Sequence, residues 1–169
     1  AVGGLPNLTN SSATREQTTR PVPDLTRLAS LQVFTVRINQ LTGPIPALTG
    51  LPNLVFFHVT GNLLLGPLPA LTGLTNLYDF SAASNQLTGN IPDLTGLTNL
   101  TRFDARNSQH SGPLPALTGL TNLKNYSAPS NRPTGPIAAL TRSHTLNVLD
   151  AHGAAPVATP PDRQGQPNL

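Results

Sequence analysis

The sequence predicts a β-rich solenoid in which each repeated coil adds one short strand to a curved parallel sheet. The first observation behind this prediction is a 23-residue period in the leucines, which recur at Leu25, Leu48, Leu71, Leu94, Leu117 and Leu140. A second series keeps the same step at Leu8, Leu31, Leu54, Leu77, Leu100, Leu123, Leu146 and Leu169. The second observation is the segment after that leucine, "LQVFTVRINQLTGPIP" at 31–46, in which apolar and polar residues alternate before Gly and Pro stop the strand.

One unit cannot bury its apolar side alone, so the units are predicted to stack with their strands about 4.8 Å apart. Three columns of residues fill the interior. They are the aromatic column Phe34, Phe57, Phe80, Phe103 and Tyr126, which ends in Leu149; the amide column Asn39, Asn62, Asn85 and Asn131, in which Ser108 replaces one amide; and the glycine column Gly43, Gly66, Gly89, Gly112 and Gly135. Amides pair with backbone groups that turns leave free, and glycine permits a tight turn. The convex side is predicted to hold irregular, 3-10 or polyproline segments.

The period divides residues 1–169 into a single array. A degenerate unit at 2–24 precedes regular units at 25–47, 48–70, 71–93, 94–116 and 117–139, a degenerate unit at 140–162 and a partial unit at 163–169. The degenerate units lose core residues, since Ser11 stands in the aromatic column and Ala154 in the amide column. Because "RQGQPNL" at 163–169 re-enters the repeat frame, we expect the chain to be a segment of a longer array.

Composition excludes several classes of function. Ten Lys and Arg against seven Asp and Glu give a net charge of +3, and the single lysine, Lys124, leaves too few cations for a nucleic-acid-binding face. The absence of cysteine removes both a disulfide framework and thiol chemistry. No apolar run approaches the ~20 residues of a membrane span, and nothing in the sequence indicates a cofactor.

The repeat unit resembles a leucine-rich repeat of the plant-type, extracellular class. The resemblance rests on "NQLTGPIPALTGL" at 39–51 and "NQLTGNIPDLTGL" at 85–97, and in-phase units extend it over nearly the whole chain. The chain differs from that class in having 23-residue units rather than the usual 24 and in lacking cysteine-bearing caps. The class includes receptor-kinase ectodomains, polygalacturonase inhibitors and some antifreeze proteins, so the resemblance implies a solenoid that binds partners.

Strand residues that alternate with the core positions are predicted to face outward on the concave sheet and to contact a partner. Phe56 is the strongest candidate, because Tyr78 lies at its edge and extends an exposed aromatic patch. Arg102, Asp104 and Arg106 share one strand, where they either neutralise one another or offer spare guanidinium donors to a carboxylate or sulfate. The predicted partner-binding residues are Arg37, Phe56, His58, Asp79, Arg102, Asp104, Arg106 and Asn125.

The same face brings His58, Ser81 and Asp104 onto adjacent strands, which raises the question of a hydrolase triad. The order argues against a triad, because the serine rather than the histidine lies in the middle and no glycine-rich elbow accompanies it. No metal site is predicted either, because no ligand spacing relates His58, His110, His144 and His152. The sequence therefore predicts a protein that is not an enzyme.

Two further patterns lie outside the core columns. Asn-x-Ser/Thr sequons begin at the candidate glycosylation sites Asn7, Asn10, Asn99 and Asn125, which favours an extracellular or cell-surface protein. Threonines repeat at Thr26, Thr49, Thr72, Thr95, Thr118 and Thr141, and beside them at Thr75, Thr98 and Thr121. Such a ladder suits a solvated turn, and it is also what ice-binding solenoids present to ice.

These observations and the resemblance predict a non-enzymatic extracellular binding module that recognises a protein or polysaccharide through its concave sheet. Two alternatives stay open. One is a structural or self-assembling array whose ends stack on further copies, and the other is an ice-binding solenoid. Capture of a partner, concentration-dependent filaments and thermal hysteresis distinguish the three functions.

Overall fold

A computed structural model describes residues 7–128, 132–133 and 147–150, and these residues form two parallel β-sheets. The first sheet has seven strands: β1 (Asn10–Ser12), β2 (Val33–Thr35), β4 (Phe56–His58), β6 (Asp79–Ser81), β8 (Arg102–Asp104), β10 (Asn125–Ser127) and β12 (Val148–Asp150). The second has five: β3 (Thr42–Gly43), β5 (Leu63–Pro67), β7 (Gln86–Gly89), β9 (Gln109–Gly112) and β11 (Arg132–Pro133). From β2 onward the chain alternates between the two sheets, as a solenoid requires.

The register of the seven-stranded sheet follows the repeat of the sequence. Val33 pairs with Phe56, and Phe56 pairs with Asp79, so neighbouring strands join residues that are 23 positions apart. The same step runs from Asn10 in β1 to Val148 in β12. The predicted parallel sheet is confirmed, and we identify the seven-stranded sheet with the predicted concave sheet.

The aromatic column is the centre of the core. The five rings stack face to face, with successive centroids 5.5, 5.5, 5.3 and 5.5 Å apart and interplanar angles of 18°, 15°, 9° and 12°. All five side chains, Phe34, Phe57, Phe80, Phe103 and Tyr126, are buried among the leucines of both series. Burial also raises the pKa of the Tyr126 phenol above its ordinary value. The interior role predicted for this column is confirmed.

The amide column ties neighbouring coils together through the backbone. The Asn62 Oδ1 accepts a hydrogen bond from the Leu41 N–H at 3.1 Å, and its Nδ2 donates to the carbonyls of Val36 and Val59 at 2.8 and 2.9 Å. Asn85 makes the equivalent bonds one coil later. Ser108 cannot reproduce this set, and its buried hydroxyl has no hydrogen-bond partner within the described residues. The structural role predicted for the column is confirmed at the described positions.

The five-stranded sheet occupies part of the stretch that was predicted to be irregular, and this part of the prediction was incomplete. Its strands pair residues 21 positions apart, such as Thr42 with Leu63 and Thr88 with Gln109. Because this register differs from the repeat by two residues, side chains that point outward in one coil still point outward in the next. Alternation in "NQLTG" at 85–89, with Leu87 buried between exposed Gln86 and Thr88, was the signal in the sequence.

The leucine-rich part of each coil consists of consecutive turns rather than a helix. In the first regular coil the Leu28 N–H donates to the Leu25 carbonyl at 2.9 Å, and the Leu31 N–H donates to the Leu28 carbonyl at 2.8 Å. These turns place a leucine inward at every third residue, and all three leucines are fully buried. Within the described ranges no residue is helical.

Glycine is required where the second sheet ends its strands. Gly112 has a φ of +81°, and a Cβ there would collide with the side chain of Asn90. Gly43, Gly66 and Gly89 have similarly positive φ values, so the predicted glycine column reflects a repeated left-handed turn.

Several predictions lie outside the described residues. They concern Asn131, Gly135, His144, His152 and most of the units at 140–162 and 163–169. Among the residues that are described, no helix is long and apolar enough to cross a membrane.

Candidate binding face on the seven-stranded sheet

The outward residues of the seven-stranded sheet form one continuous face, which we call the sheet face. Most of the predicted contact residues lie on it with part of their side chain open to solvent: Arg37, Phe56, His58, Asp79, Arg102, Arg106 and Asn125. Three smaller outward residues, Ser81, Ala83 and Asp104, are buried beneath their neighbours instead. The alternation of the strand was therefore predicted correctly, whereas exposure also depends on the size of the adjacent side chains.

An aromatic patch lies at β4 and the start of β6. The ring centroids of Phe56 and Tyr78 are 5.8 Å apart, and those of Phe56 and His58 are 6.0 Å apart in an edge-on arrangement. Tyr78 is 46% exposed, whereas Phe56 is half-buried by its neighbours. The three rings form an amphipathic anchor, with apolar faces beside a hydroxyl and an imidazole.

A histidine and a carboxylate meet beside this patch. The His58 Nε2 lies 3.3 Å from the Asp79 Oδ1, across the boundary between β4 and β6. Both atoms are shielded from solvent, and their geometry does not make a hydrogen bond within the described structure. The pair is thus an ion-pair contact without hydrogen-bond geometry on the sheet face.

Arg102, Asp104 and Arg106 form a charged cluster on β8 and just after it. The Arg102 Nη2 lies 2.9 Å from the Asp104 Oδ2, and the Arg106 Nε lies 3.4 Å from the same oxygen. The Asp104 side chain is only 3% exposed, while those of Arg102 and Arg106 are 41% and 47% exposed. Two guanidinium groups thus share one carboxylate, so the cluster keeps one net positive charge and spare donors.

Asp104, which is also a predicted partner-binding residue, is shielded from solvent in this cluster. Its carboxylate lies beneath the two arginines, and its Oδ1 also accepts the backbone N–H of Arg106 at 3.3 Å. The Asp104 side chain is therefore shielded from solvent, as the equivalent Ser81 is one coil earlier. Asp104 therefore positions Arg102 and Arg106 on the sheet face.

The residues considered for a triad are placed in the predicted order. His58 pairs with Ser81, and Ser81 pairs with Asp104. The Ser81 hydroxyl is buried and lies 2.7 Å from the Thr60 Oγ1, with which it shares a hydrogen bond. The serine is thus engaged by a neutral hydroxyl, and His58, which lies beside it, is directed to Asp79.

His110 belongs to the core and not to a binding site. It occupies the leucine position of its column, is buried, and its Nδ1 lies 3.3 Å from the Gly89 carbonyl. Burial lowers the pKa of its imidazole below the ordinary value of 6.5, although bonds to the Gly89 and Thr88 backbone oppose this shift. The described ranges hold no group of three His, Cys, Asp or Glu side chains that could bind a metal ion.

The candidate glycosylation sites differ in their surroundings. Asn7, Asn10 and Asn99 are exposed, whereas Asn125 is half-buried on the sheet face. The Asn99 Nδ2 donates to the Thr75 carbonyl at 2.9 Å. The same bond recurs in neighbouring coils from Asn53, Asn76 and Asn122, which form a second amide ladder that the sequence analysis missed. The period-23 recurrence of "NL" after each leucine turn could have revealed it.

The threonines of both columns are exposed at every described position, as a solvated turn requires, and Thr141 lies outside the described residues. The hydroxyls of Thr26 and Thr95 donate to the carboxylates of Asp24 and Asp93 at 2.8 and 2.6 Å. The backbone N–H groups of both threonines donate to the same carboxylates, and together these bonds lower the pKa values of Asp24 and Asp93. The hydroxyl ladder is therefore interrupted in two coils by local turn bonds.

Comparison with known proteins gives matches among solved structures only. No protein-family model and no curated protein matches the chain. The chain is 31% identical, with a TM-score of 0.86, to the LRR ectodomain of the plant membrane receptor kinase GASSHO1/SCHENGEN3 from Arabidopsis thaliana, over 90% of this chain and 19% of that one. The Arabidopsis receptor kinase HAESA gives 36% identity and a TM-score of 0.67 over 70% of this chain and 21% of that one.

A plant ice-binding protein is also similar, with 25% identity and a TM-score of 0.72, over 90% of this chain and 51% of that one. The chain spans about a fifth of the two receptor ectodomains. Its 23-residue register, its stacked interior columns and these similarities agree on one assignment. The chain has the fold of a leucine-rich-repeat solenoid and is similar to plant receptor ectodomains.

Proposed function

We propose that the protein is a non-enzymatic extracellular binding module that holds an extended segment of a protein partner against the sheet face. The observation that carries this proposal is the presence of an aromatic anchor and a cationic cluster on the same face. Phe56 lies on β4 and Arg102 on β8, with β6 between them. Two strand spacings separate the anchor from the cations by about 10 Å.

The spacing defines the chemistry of the partner. An extended chain advances about 3.3 Å per residue, so roughly three residues cover the distance between Phe56 and Arg102. We therefore expect a segment that crosses the strands and carries an apolar side chain about three positions from a carboxylate. The arginines favour a carboxylate because Asp104 neutralises only one of the two charges.

The comparisons support a peptide ligand over a polysaccharide. The GASSHO1/SCHENGEN3 structure is a complex with CASPARIAN STRIP INTEGRITY FACTOR 2, and the HAESA structure is a complex with the peptide hormone IDA and the co-receptor SERK1. Both are receptor ectodomains, which also supports an extracellular location for this chain.

Selection from a random peptide display library tests the proposal. Peptides that bind the full chain are expected to carry the apolar-to-acidic spacing. Truncation of an interface anchor costs about 2 kcal/mol or more, so Phe56→Ala should weaken binding at least about 30-fold. Arg102→Ala should weaken binding of the acidic peptides, while Arg27→Ala, which removes an exposed arginine outside the sheet face, serves as the matched control. Selected peptides that bind all variants equally would place the interface elsewhere, and selective binding to cell-wall glycans would favour a polysaccharide.

A second candidate function is ice binding, which is favoured by the exposed threonine columns and by the similarity to a plant ice-binding protein. The hydroxyls of Thr49, Thr72 and Thr118 have no hydrogen-bond partner within the described chain, in contrast to those of Thr26 and Thr95. Thermal hysteresis that disappears in Thr49→Lys/Thr72→Lys and persists in Phe56→Ala would establish this function. The absence of thermal hysteresis in the unmodified chain would eliminate it.

A further inference from the structure

An apolar cavity of about 320 Å³ lies beside the first described coil. Its volume is at the lower end of the range of about 300–1,000 Å³ that is usual for small-molecule pockets. The apolar part of its lining consists of Ala13, Pro21, Pro23, Phe34, Val36 and Leu41. The cavity lies away from the aromatic patch and the arginine cluster, none of whose residues line it.

Two small side chains of the lining, Ala13 and Thr18, border the unfilled space, and the same coil also has a small residue in the aromatic column. Ser11 stands opposite Phe34 in the β1–β2 register, where every later coil up to β10 has an aromatic ring. Ala13 and Thr18 likewise occupy the repeat positions that hold Val36 and Leu41 in the next coil. The core of this coil is therefore truncated at three neighbouring positions.

Stability alone does not explain a cavity of this kind. Protein interiors have few voids larger than a water molecule, and each unfilled volume costs stability. Larger residues at these repeat positions are tolerated one coil later, where Val36 and Leu41 are almost completely buried. A ligand that filled the cavity would supply the contacts that the smaller side chains omit.

The polar part of the lining selects the charge of that ligand. Arg20 lines the cavity, and no hydrogen bond or ion pair engages it within the described ranges. The Asn39 amide also lines the cavity, but its Nδ2 donates to the Ala13 and Arg37 carbonyls and its Oδ1 accepts the Glu16 N–H at 2.9 Å. Arg20 is thus the charged group that remains available to a ligand.

A neighbouring depression reinforces this charge. It has a volume of about 310 Å³, shares Asn39 with the cavity and adds Arg15 to the lining. Among the described residues, no Asp or Glu lines either space. Apolar walls beside two arginines and no carboxylate suit a small molecule with an apolar body and an anionic head.

We infer that this cavity is a binding site for a small monocarboxylic acid, with the apolar body against Phe34, Val36 and Leu41 and the carboxylate on Arg20. This site is independent of the sheet face, so peptide binding and acid binding are separable by mutation.

Titration of the full chain with octanoate and with 1-octanol, followed by protein-observed NMR, tests the inference. Octanoate should bind saturably at one site and shift the resonances of the first two coils. Ala13→Val/Thr18→Leu, which introduces the residue types of the next coil, should abolish binding of both compounds. Arg20→Gln should weaken octanoate binding about three- to fivefold, as befits an exposed ion pair, and leave octanol binding unchanged. Arg27→Gln is the matched control.

Three results would overturn the inference. The first is that neither compound binds the unmodified chain saturably. The second is that the double variant Ala13→Val/Thr18→Leu, shown by its spectrum to be folded, binds octanoate as tightly as the unmodified chain does. The third is that Arg20→Gln and Arg27→Gln change the affinity for octanoate equally. The arginine variants decide the question even if the double variant fails to fold, because both substitutions are at exposed positions.

Discussion

Replacement of Phe57 by alanine is expected to lower the free energy of unfolding by about 3–5 kcal/mol. Phe57 is fully buried, and its ring stacks on those of Phe34 and Phe80 at 5.5 Å on both sides. Loss of the buried ring contributes about 1.5–3 kcal/mol, and the two aromatic pairs contribute about 0.5–1.5 kcal/mol each. Since a domain has only about 5–15 kcal/mol of stability in total, the effect should be large.

Phe56 provides a matched control on the same strand. It is the same residue type one position earlier, but it points to the sheet face and is half-buried. Phe56→Ala leaves the interior stack intact and removes only part of a ring contact, so we expect a loss below about 1.5 kcal/mol. Urea-induced unfolding followed by circular dichroism measures both variants, and the midpoint and the slope should be fitted separately.

The two variants test which strand residues of the array point into the core and which point to the sheet face. If Phe56→Ala cost as much as Phe57→Ala, or more, the inward and outward assignments would be exchanged. Both the aromatic column and the sheet face would then be wrong, because a single-residue slip moves every side chain to the opposite face.

Three other substitutions have defined outcomes. Ile38→Asn should stabilise the protein by about 1 kcal/mol in urea unfolding, because Ile38 is a β-branched residue with a φ of +53° at the repeat position of Gly61. Asn85→Ala should cost about 3 kcal/mol by the same assay, since it unpairs the Leu64 N–H and two carbonyls. His110 has a lowered pKa, so below about pH 6.5 the unfolded chain binds a proton that the folded chain does not, and stability falls with falling pH. His110→Leu should remove that decline, as unfolding at pH 5 and pH 7.5 will show.

The interior of this protein could be predicted from the sequence because the repeat enforces it. Each coil places a ring over the preceding ring, so the positions of Phe34 to Tyr126 follow from the period alone. The Asn62 and Asn85 bonds follow in the same way, because an amide at a fixed phase meets the same backbone groups in every coil. Because successive units have similar local sequences, the interior contacts of one coil are repeated in the next.

Exposure on the sheet face could not be predicted as well, because it depends on side chains from different units. Asp104 lies beneath Arg102 and Arg106, and Ser81, at the same strand position one coil earlier, is buried by other neighbours. The second sheet was missed for another reason. Its strands follow directly after the amide column and contain Gly and Pro, which are typical of turns, although the chain there is paired with the next coil.

The separation of interior from surface explains how such an array can acquire a binding site. The rings, leucines and amides of the interior stabilise each coil through its neighbours, and they point away from the sheet face. The outward residues differ from strand to strand, from Phe56 to Asp79 to Arg102, without any change in the backbone register. Asp104 is an outward residue that is buried, and it holds two arginines of the face. Asp104→Asn should therefore alter the affinity for an acidic peptide more than it alters stability, because the arginines would lose their shared anchor while the interior columns stayed intact.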